Sequence, residues 1–88
     1  MEVKFESAFE KDLRRIDNQK ILRRLKFVVD ETKTAADISA VKNLKKPRGY
    51  ETFYRIKMGD FRIGIEIIDA EFIFTRFLHR KEIYRYFP

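Results

Sequence analysis

Arg55, Lys57 and Arg62 recur within a run of strand-forming residues from Phe53 to Phe77, and that run leads into His79-Arg80-Lys81-Glu82-Ile83-Tyr84. Arginine and lysine bind phosphate oxygens, an imidazole can serve as acid or base, and a phenol can stack on a base or pass a proton. Gathered on one face of a sheet, these groups suit gripping RNA and cutting it. Cleavage by a 2′-hydroxyl requires that hydroxyl to be deprotonated, the departing 5′ oxygen to be protonated, and the charge on the phosphorane to be stabilised. An arginine suits the last task because its planar fork holds phosphate oxygens at two points and stays charged. His79 is the natural acid or base, with the choice between the two open.

Each group also has a plainer reading. The cations can be solvent-facing charge on a half-buried sheet. His79 can be structural at a strand end, and Tyr84 can pack a short C-terminal helix together with Ile83 and Phe87.

Positioning these side chains falls to two hairpins. Gly59-Asp60 suits a two-residue turn with Gly in the first central position, where a positive φ is needed. If Met58 pairs with Phe61, Lys57 lies opposite Arg62 and Arg55 opposite Gly64, so the three cations share a face. Tyr54, Ile56, Met58, Phe61, Ile63, Ile65 and Ile67 take the other, apolar face. A second turn at Asp69-Ala70 pairs Ile68 with Glu71. It sends Phe72, Phe74 and Leu78 to the core and Ile73, Thr75 and Phe77 to the cationic face. Regular alternation also puts Arg76 on the core side, which requires either a bulge or an escape of its guanidinium at the sheet edge. Like charges across strands repel, and Glu66 is the one acid near three cations.

Upstream, Glu2 to Phe5 alternate as a short strand. Ser7 and Glu10 match a capping box for a helix that carries Ala8, Phe9, Leu13 and Ile16 on one face. Asp17 is the expected N-cap of a second helix, whose stripe of Ile21, Leu22, Leu25, Val28 and Val29 runs to about Glu31. The two form a helical hairpin whose polar faces carry Lys11, Arg14, Arg15, Lys20, Arg23, Arg24 and Lys26. From Thr32 to Gly49 the pattern predicts an exposed loop with a weak turn around Asp37 to Val41, ending in Lys45-Lys46-Pro47-Arg48-Gly49.

The fold class expected is therefore α+β: a small antiparallel sheet packed against an N-terminal two-helix hairpin, with a short C-terminal helix. At 88 residues and 44% hydrophobic content, the chain fits a single domain spanning 1–88. A domain of this size buries about 60 to 65% of its unfolded surface. Without cysteine it has neither a disulfide framework nor a cysteine zinc site, and one histidine among scattered carboxylates is no metal-ligand set. No metal or cofactor is expected. No apolar stretch is long enough for a membrane span, and Met1 to Phe5 lack the pattern of a signal peptide, so a cytoplasmic protein is expected. A net charge of +6 and a pI near 9.7 favour polyanionic partners without choosing among them.

In order and spacing, the chain resembles the RelE/ParE superfamily of small toxins from toxin–antitoxin pairs. The resemblance runs from the opening strand through the helical hairpin to the basic Leu44-Lys45-Lys46-Pro47-Arg48-Gly49. Two further segments, Tyr54-Arg55-Ile56-Lys57-Met58-Gly59-Asp60-Phe61-Arg62-Ile63 and His79-Arg80-Lys81-Glu82-Ile83-Tyr84-Arg85, look like the RelE branch. The resemblance implies a type II toxin that enters the ribosomal decoding site and cuts messenger RNA by 2′-hydroxyl attack. By position, Arg62 would be the phosphate clamp and Arg80 a second catalytic arginine. Arg55 and Lys57 fall on substrate-contacting strand positions, Lys45, Lys46 and Arg48 in the basic loop. Tyr84 matches the terminal tyrosine, with Tyr86 its rival. The implied partners are a cognate antitoxin, whose amphipathic or acidic segment covers the basic surface, and the ribosome with its message. The ParE branch, which poisons DNA gyrase, is the alternative, and it generally lacks this arrangement of Arg62, His79, Arg80 and Tyr84. An RNA- or antitoxin-binding module without catalysis is the third reading.

Overall fold

The computed structural model describes residues 1–49 and 51–88. Its elements are β1 (Glu2–Phe5), α1 (Ser7–Arg14), α2 (Gln19–Thr34), a 3-10 turn at Ile38–Ala40, β2 (Leu44–Lys45), β3 (Phe53–Met58), β4 (Phe61–Ile68), β5 (Glu71–His79) and α3 (Ile83–Tyr86). The five strands form one sheet in the order β1-β5-β4-β3-β2. The pairings of β2 with β3, β3 with β4 and β4 with β5 are antiparallel as expected, and β1 departs from that pattern by running parallel to β5. Among the described residues, no helix is long and apolar enough to cross a membrane.

Both tight turns form where the sequence places them. Gly59 takes φ +58° and Asp69 takes φ +56°, the left-handed backbone that glycine and aspartate tolerate best. The first turn pairs Met58 with Phe61, Lys57 with Arg62 and Arg55 with Gly64. The second pairs Ile68 with Glu71 and Ile65 with Phe74. Then the register slips. Gly64 pairs with Arg76 while Ile65 pairs with Phe74, so Thr75 is an extra residue in β5. Its hydroxyl donates 2.8 Å to the carbonyl of Gly64, satisfying the backbone at the bulge.

An inserted residue sends every later side chain of a strand to the opposite face. Phe77 accordingly joins the main core with Phe72 and Phe74, against Phe9 of α1 and Leu25 and Val29 of α2. Leu78, expected there, packs instead with Ile83 and Phe87 against Phe53. Burial of each large apolar side chain contributes about 1.5–3 kcal/mol, so the four buried Phe rings of the main cluster are its chief support.

The smaller cluster seats α3 on the far side of the sheet. Gly64 makes room for it: a Cβ there would lie 2.7–2.9 Å from ring atoms of Phe87.

The helix starts differ from the expected ones. Ser7 is already helical, and the preceding Glu6 makes no side-chain cap. The Glu6 N–H donates 2.9 Å to the carbonyl of Phe74, prolonging the β1–β5 pairing up to the helix and leaving no place for a capping box. In α2 the cap is Asn18, one residue past Asp17: its Oδ1 accepts from the N–H groups of Lys20 and Ile21 at 2.9 and 3.3 Å. α2 then runs on to Thr34, beyond the expected end at Glu31.

Candidate nucleic-acid interface

The face of the sheet opposite the main core carries the cations. β2 brings Lys45 directly across from Arg55. β3 then supplies Arg55 and Lys57, and β4 supplies Arg62 opposite Lys57. Together with Tyr84 of α3, these four line a cleft of about 250 Å³. Lys45 thus reaches the cleft from an edge strand, where the sequence reading had only loop.

Tyr84 lies over the Arg55 guanidinium, 4.6 Å from ring centre to guanidinium carbon. Arg62 is oriented from beneath: one of its terminal nitrogens donates to the carbonyls of Gly59 and Phe61, both at 2.9 Å. Its remaining N–H groups have no protein acceptor among the described residues. No carboxylate lines the cleft among the described residues. Ion pairs join Lys4 to Glu71, Lys26 to Asp30, Arg76 to Asp12 and Arg80 to Asp60, and none involves Lys45, Arg55, Lys57 or Arg62 among the described residues. Glu66 accepts from the Thr52 hydroxyl at 3.1 Å.

Like charges held this close destabilise a sheet unless an anion sits between them. A cluster of this kind suits a polyanionic ligand. Two guanidinium groups and two ammonium groups offer many donors to phosphate oxygens. Tyr84, 71% exposed, offers a flat surface to a base.

The other residues singled out from the sequence stand elsewhere. Lys46 turns to the Tyr54 ring, 5.9 Å from its centre. Arg48 is exposed in the connection after β2. Arg80 follows β5 at the hairpin tip, its N–H donating 2.8 Å to the carbonyl of Asp60, its guanidinium 3.9 Å from the Asp60 carboxylate. This puts it at the same end of the sheet as Arg62, outside the residues lining the cleft.

His79 stands apart from the cations of the cleft, where regular alternation would have put it beside them. It pairs with Phe61, whose side chain packs against the main core, and meets that ring edge-on at 5.9 Å. Its Nδ1 accepts from the Lys81 N–H at 3.1 Å. The bulge at Thr75 is the reason: by regular alternation His79 would face the cations, and the extra residue turns it to the helix side. There it borders a separate cleft with Asp12, Arg15 and Glu82.

Two residues the sequence reading did not place functionally are tied together. Asp12 of α1, only 4% exposed, accepts from Arg76 Nε at 2.8 Å, Arg76 Nη2 at 3.0 Å and the Phe77 N–H at 2.9 Å. The hydrogen bonds to Asp12 hold the Arg76 pKa above its ordinary value, against the opposing effect of burial. Arg76 therefore does leave the core side, by both expected routes, since the bulge shifts it and the guanidinium reaches the partner at the sheet edge.

Residues 3–84 match the family described as ParE toxin of type II toxin-antitoxin system, parDE. The chain belongs to the RelE/ParE toxin superfamily. Over its full length this toxin is 42% identical to Toxin RelE3 of Methanocaldococcus jannaschii, which it also covers completely. The toxin chain is similar to a chain of the RelB-RelE antitoxin-toxin complex from Methanococcus jannaschii, with TM-score 0.82 and 39% identity, covering 97% of this chain and 99% of that one. A chain of the intact Escherichia coli RelBE complex shares the fold at TM-score 0.67 and 21% identity, covering 86% and 92% of the two chains.

Proposed function

We propose that this type II toxin is a ribosome-dependent endoribonuclease that cuts messenger RNA in the cleft between β2, β3, β4 and α3. The observation that carries the reading is the cluster of Lys45, Arg55, Lys57 and Arg62, unneutralised by any carboxylate among the described residues and roofed by an exposed tyrosine. The RelE-type relatives in sequence and structure favour this branch of the superfamily over a gyrase poison.

In the proposed reaction the 2′-oxygen forms a bond to the adjacent phosphorus and the bond from phosphorus to the 5′ oxygen breaks. The products are a 2′,3′-cyclic phosphate and a 5′-hydroxyl. Arg62, held by the turn carbonyls, clamps the phosphate and stabilises the charge that builds on its oxygens. Lys57, directly opposite, neutralises the same group, while Lys45 and Arg55 hold the flanking backbone. Tyr84 stacks on an unpaired base. No histidine lines the cleft among the described residues, so proton transfer falls to Lys45, Lys57 and Tyr84: one of them, as neutral amine or phenolate, takes the 2′-hydroxyl proton, another gives a proton to the departing 5′ oxygen, and Arg80 joins from the hairpin tip once RNA is bound. The ribosome completes the alignment of the 2′-hydroxyl, which accounts for a site with few conventional acid–base groups.

The proposed partner in the resting state is a cognate antitoxin, as in the RelB-RelE complex of the similar archaeal structure, and the proposed setting is the cytoplasm. Adding the purified protein to a translating extract tests the reading. New 5′ ends inside ribosome-bound messages are expected, with little cutting of free RNA. Arrest of synthesis without such ends would overturn it, and gyrase-linked DNA breaks would move the protein to the ParE branch.

A further inference from the structure

Tyr84 is carried by a helix of four residues, Ile83–Tyr86, with no side-chain cap at its start. One helical turn does not hold itself together in water, so its position depends on what grips it. Ile83 and Phe87 anchor one side in the apolar seat above Gly64. The two exposed tyrosines rest on arginines from different strands. Tyr84 lies on Arg55 of β3, and Tyr86 lies on Arg76 of β5, 5.6 Å from its guanidinium carbon.

The two arginines are held differently. Arg55 makes no ion pair among the described residues, whereas Arg76 is locked by paired hydrogen bonds to the buried carboxylate of Asp12. That carboxylate is itself pinned by the Phe77 N–H. A chain of contacts thus runs from α1, outside the cleft, around the edge of the sheet to the helix that carries Tyr84.

We infer that Asp12 is a positioning residue for Tyr84, acting through Arg76 and Tyr86 to hold the C-terminal turn so that Tyr84 stays stacked over Arg55. The role rests on the cleft being the site of RNA cleavage. Charge matters as well as shape, since a neutral amide cannot hold the guanidinium with two charge-assisted hydrogen bonds. A stacking surface displaced by a fraction of its width loses the base it was aligned to receive.

A double-mutant cycle separates this role from general support of the fold. Cleavage on programmed ribosomes is measured for the wild type, Asp12→Asn, Tyr84→Ala and the double variant, together with thermal melts. Asp12→Asn is expected to slow cleavage about tenfold when Tyr84 is present. With Tyr84→Ala as background, the same change is expected to have an effect within about twofold. Equal factors in both backgrounds overturn the inference, because they mean Asp12 acts on something other than Tyr84.

Should Asp12→Asn fail to fold, Tyr86→Leu replaces it in the cycle, removing the contact with Arg76 from an exposed position. A 3-fluorotyrosine resonance assigned to Tyr84 supplies a readout independent of cleavage. It is expected to shift in Asp12→Asn and in Tyr86→Leu, and an unchanged resonance in folded variants overturns the inference. Absence of cleavage by the wild type strikes the nuclease reading, while the fluorine resonance still decides the positioning claim.

Discussion

The Tyr84 ring covers the Arg55 guanidinium at 4.6 Å, and the residue is still 71% exposed. Such a contact at an exposed site is worth about 0.5–1 kcal/mol, enough to orient the ring while leaving it open to a base. Replacing Tyr84 by Ala is expected to weaken binding of single-stranded RNA by about 1–3 kcal/mol. Tyr84→Phe keeps the stacking surface and should keep the affinity. Fluorescence anisotropy with a short labelled RNA checks both. Equal losses in the two variants would assign the contribution to the hydroxyl instead.

Arg62 and His79 lie close in the expected constellation and on opposite faces in the structure, which makes them a useful contrast. Arg62→Ala should reduce ribosomal cleavage by about a hundredfold or more, the usual scale for a group that stabilises transition-state charge. Its bonds to two turn carbonyls leave the core untouched, so the melt should hardly move. Arg62→Lys restores charge without the fork and should recover only part of the rate. His79→Gln removes an edge-on ring contact with Phe61, so stability should fall slightly while cleavage stays within about threefold. A cleavage loss in His79→Gln matching that of Arg62→Ala would return the histidine to the reaction.

With Lys45, Arg55, Lys57 and Arg62 all engaged on a single strand, affinity should depend steeply on salt. Each phosphate neutralised adds about −0.7 to the slope of log affinity against log salt, so four contacts predict a slope of about −3. Lys57→Gln should lower its magnitude by about 0.7. A titration of binding at several potassium chloride concentrations gives both values.

Gly64 tests the seat of the C-terminal turn. In Gly64→Ala the new methyl group would meet the Phe87 ring at 2.7 Å, well inside contact distance. Overpacking of this kind costs about 1–3 kcal/mol. For a domain of this size each kcal/mol lowers Tm by about 4–8 °C. Calorimetry should show the drop, and Gly64→Ala/Phe87→Ala should relieve part of the overlap.

Much of this arrangement was legible in the sequence. Glycine and aspartate in the two hairpin turns set the pairing of Lys57 with Arg62 and of Ile68 with Glu71, and the alternation from Tyr54 to Ile67 separated core from cations. The bulge was harder to see. Phe74 and Phe77 are three apart where alternation wants two, but Leu78 fits the unbroken pattern equally well, and only the packing of α3 on the other face decides between them. Everything after Thr75 inherited that ambiguity, His79 included. Asp12 left a trace too, since it interrupts the apolar stripe of Phe9, Leu13 and Ile16. An acid inside a helix's buried stripe and a cation on a strand's core side were two anomalies with one solution, each being the other's partner. Lys45 stood out as a candidate, but the strand that carries it did not, because a strand of two residues has no periodicity of its own.

The carboxylate of Asp12 has one more consequence, for behaviour in a crowded solution. β1 pairs with β5 through Phe74 and stops there, so the last part of β5 has no strand beside it on that side, and an unpaired strand edge is the kind of surface on which another chain's strand can add and begin aggregation. By accepting from the Phe77 N–H, and drawing the Arg76 guanidinium across the same edge, Asp12 occupies the first position such an intruding strand would need. An acid on the first helix thereby stands where a sixth strand would have to pair.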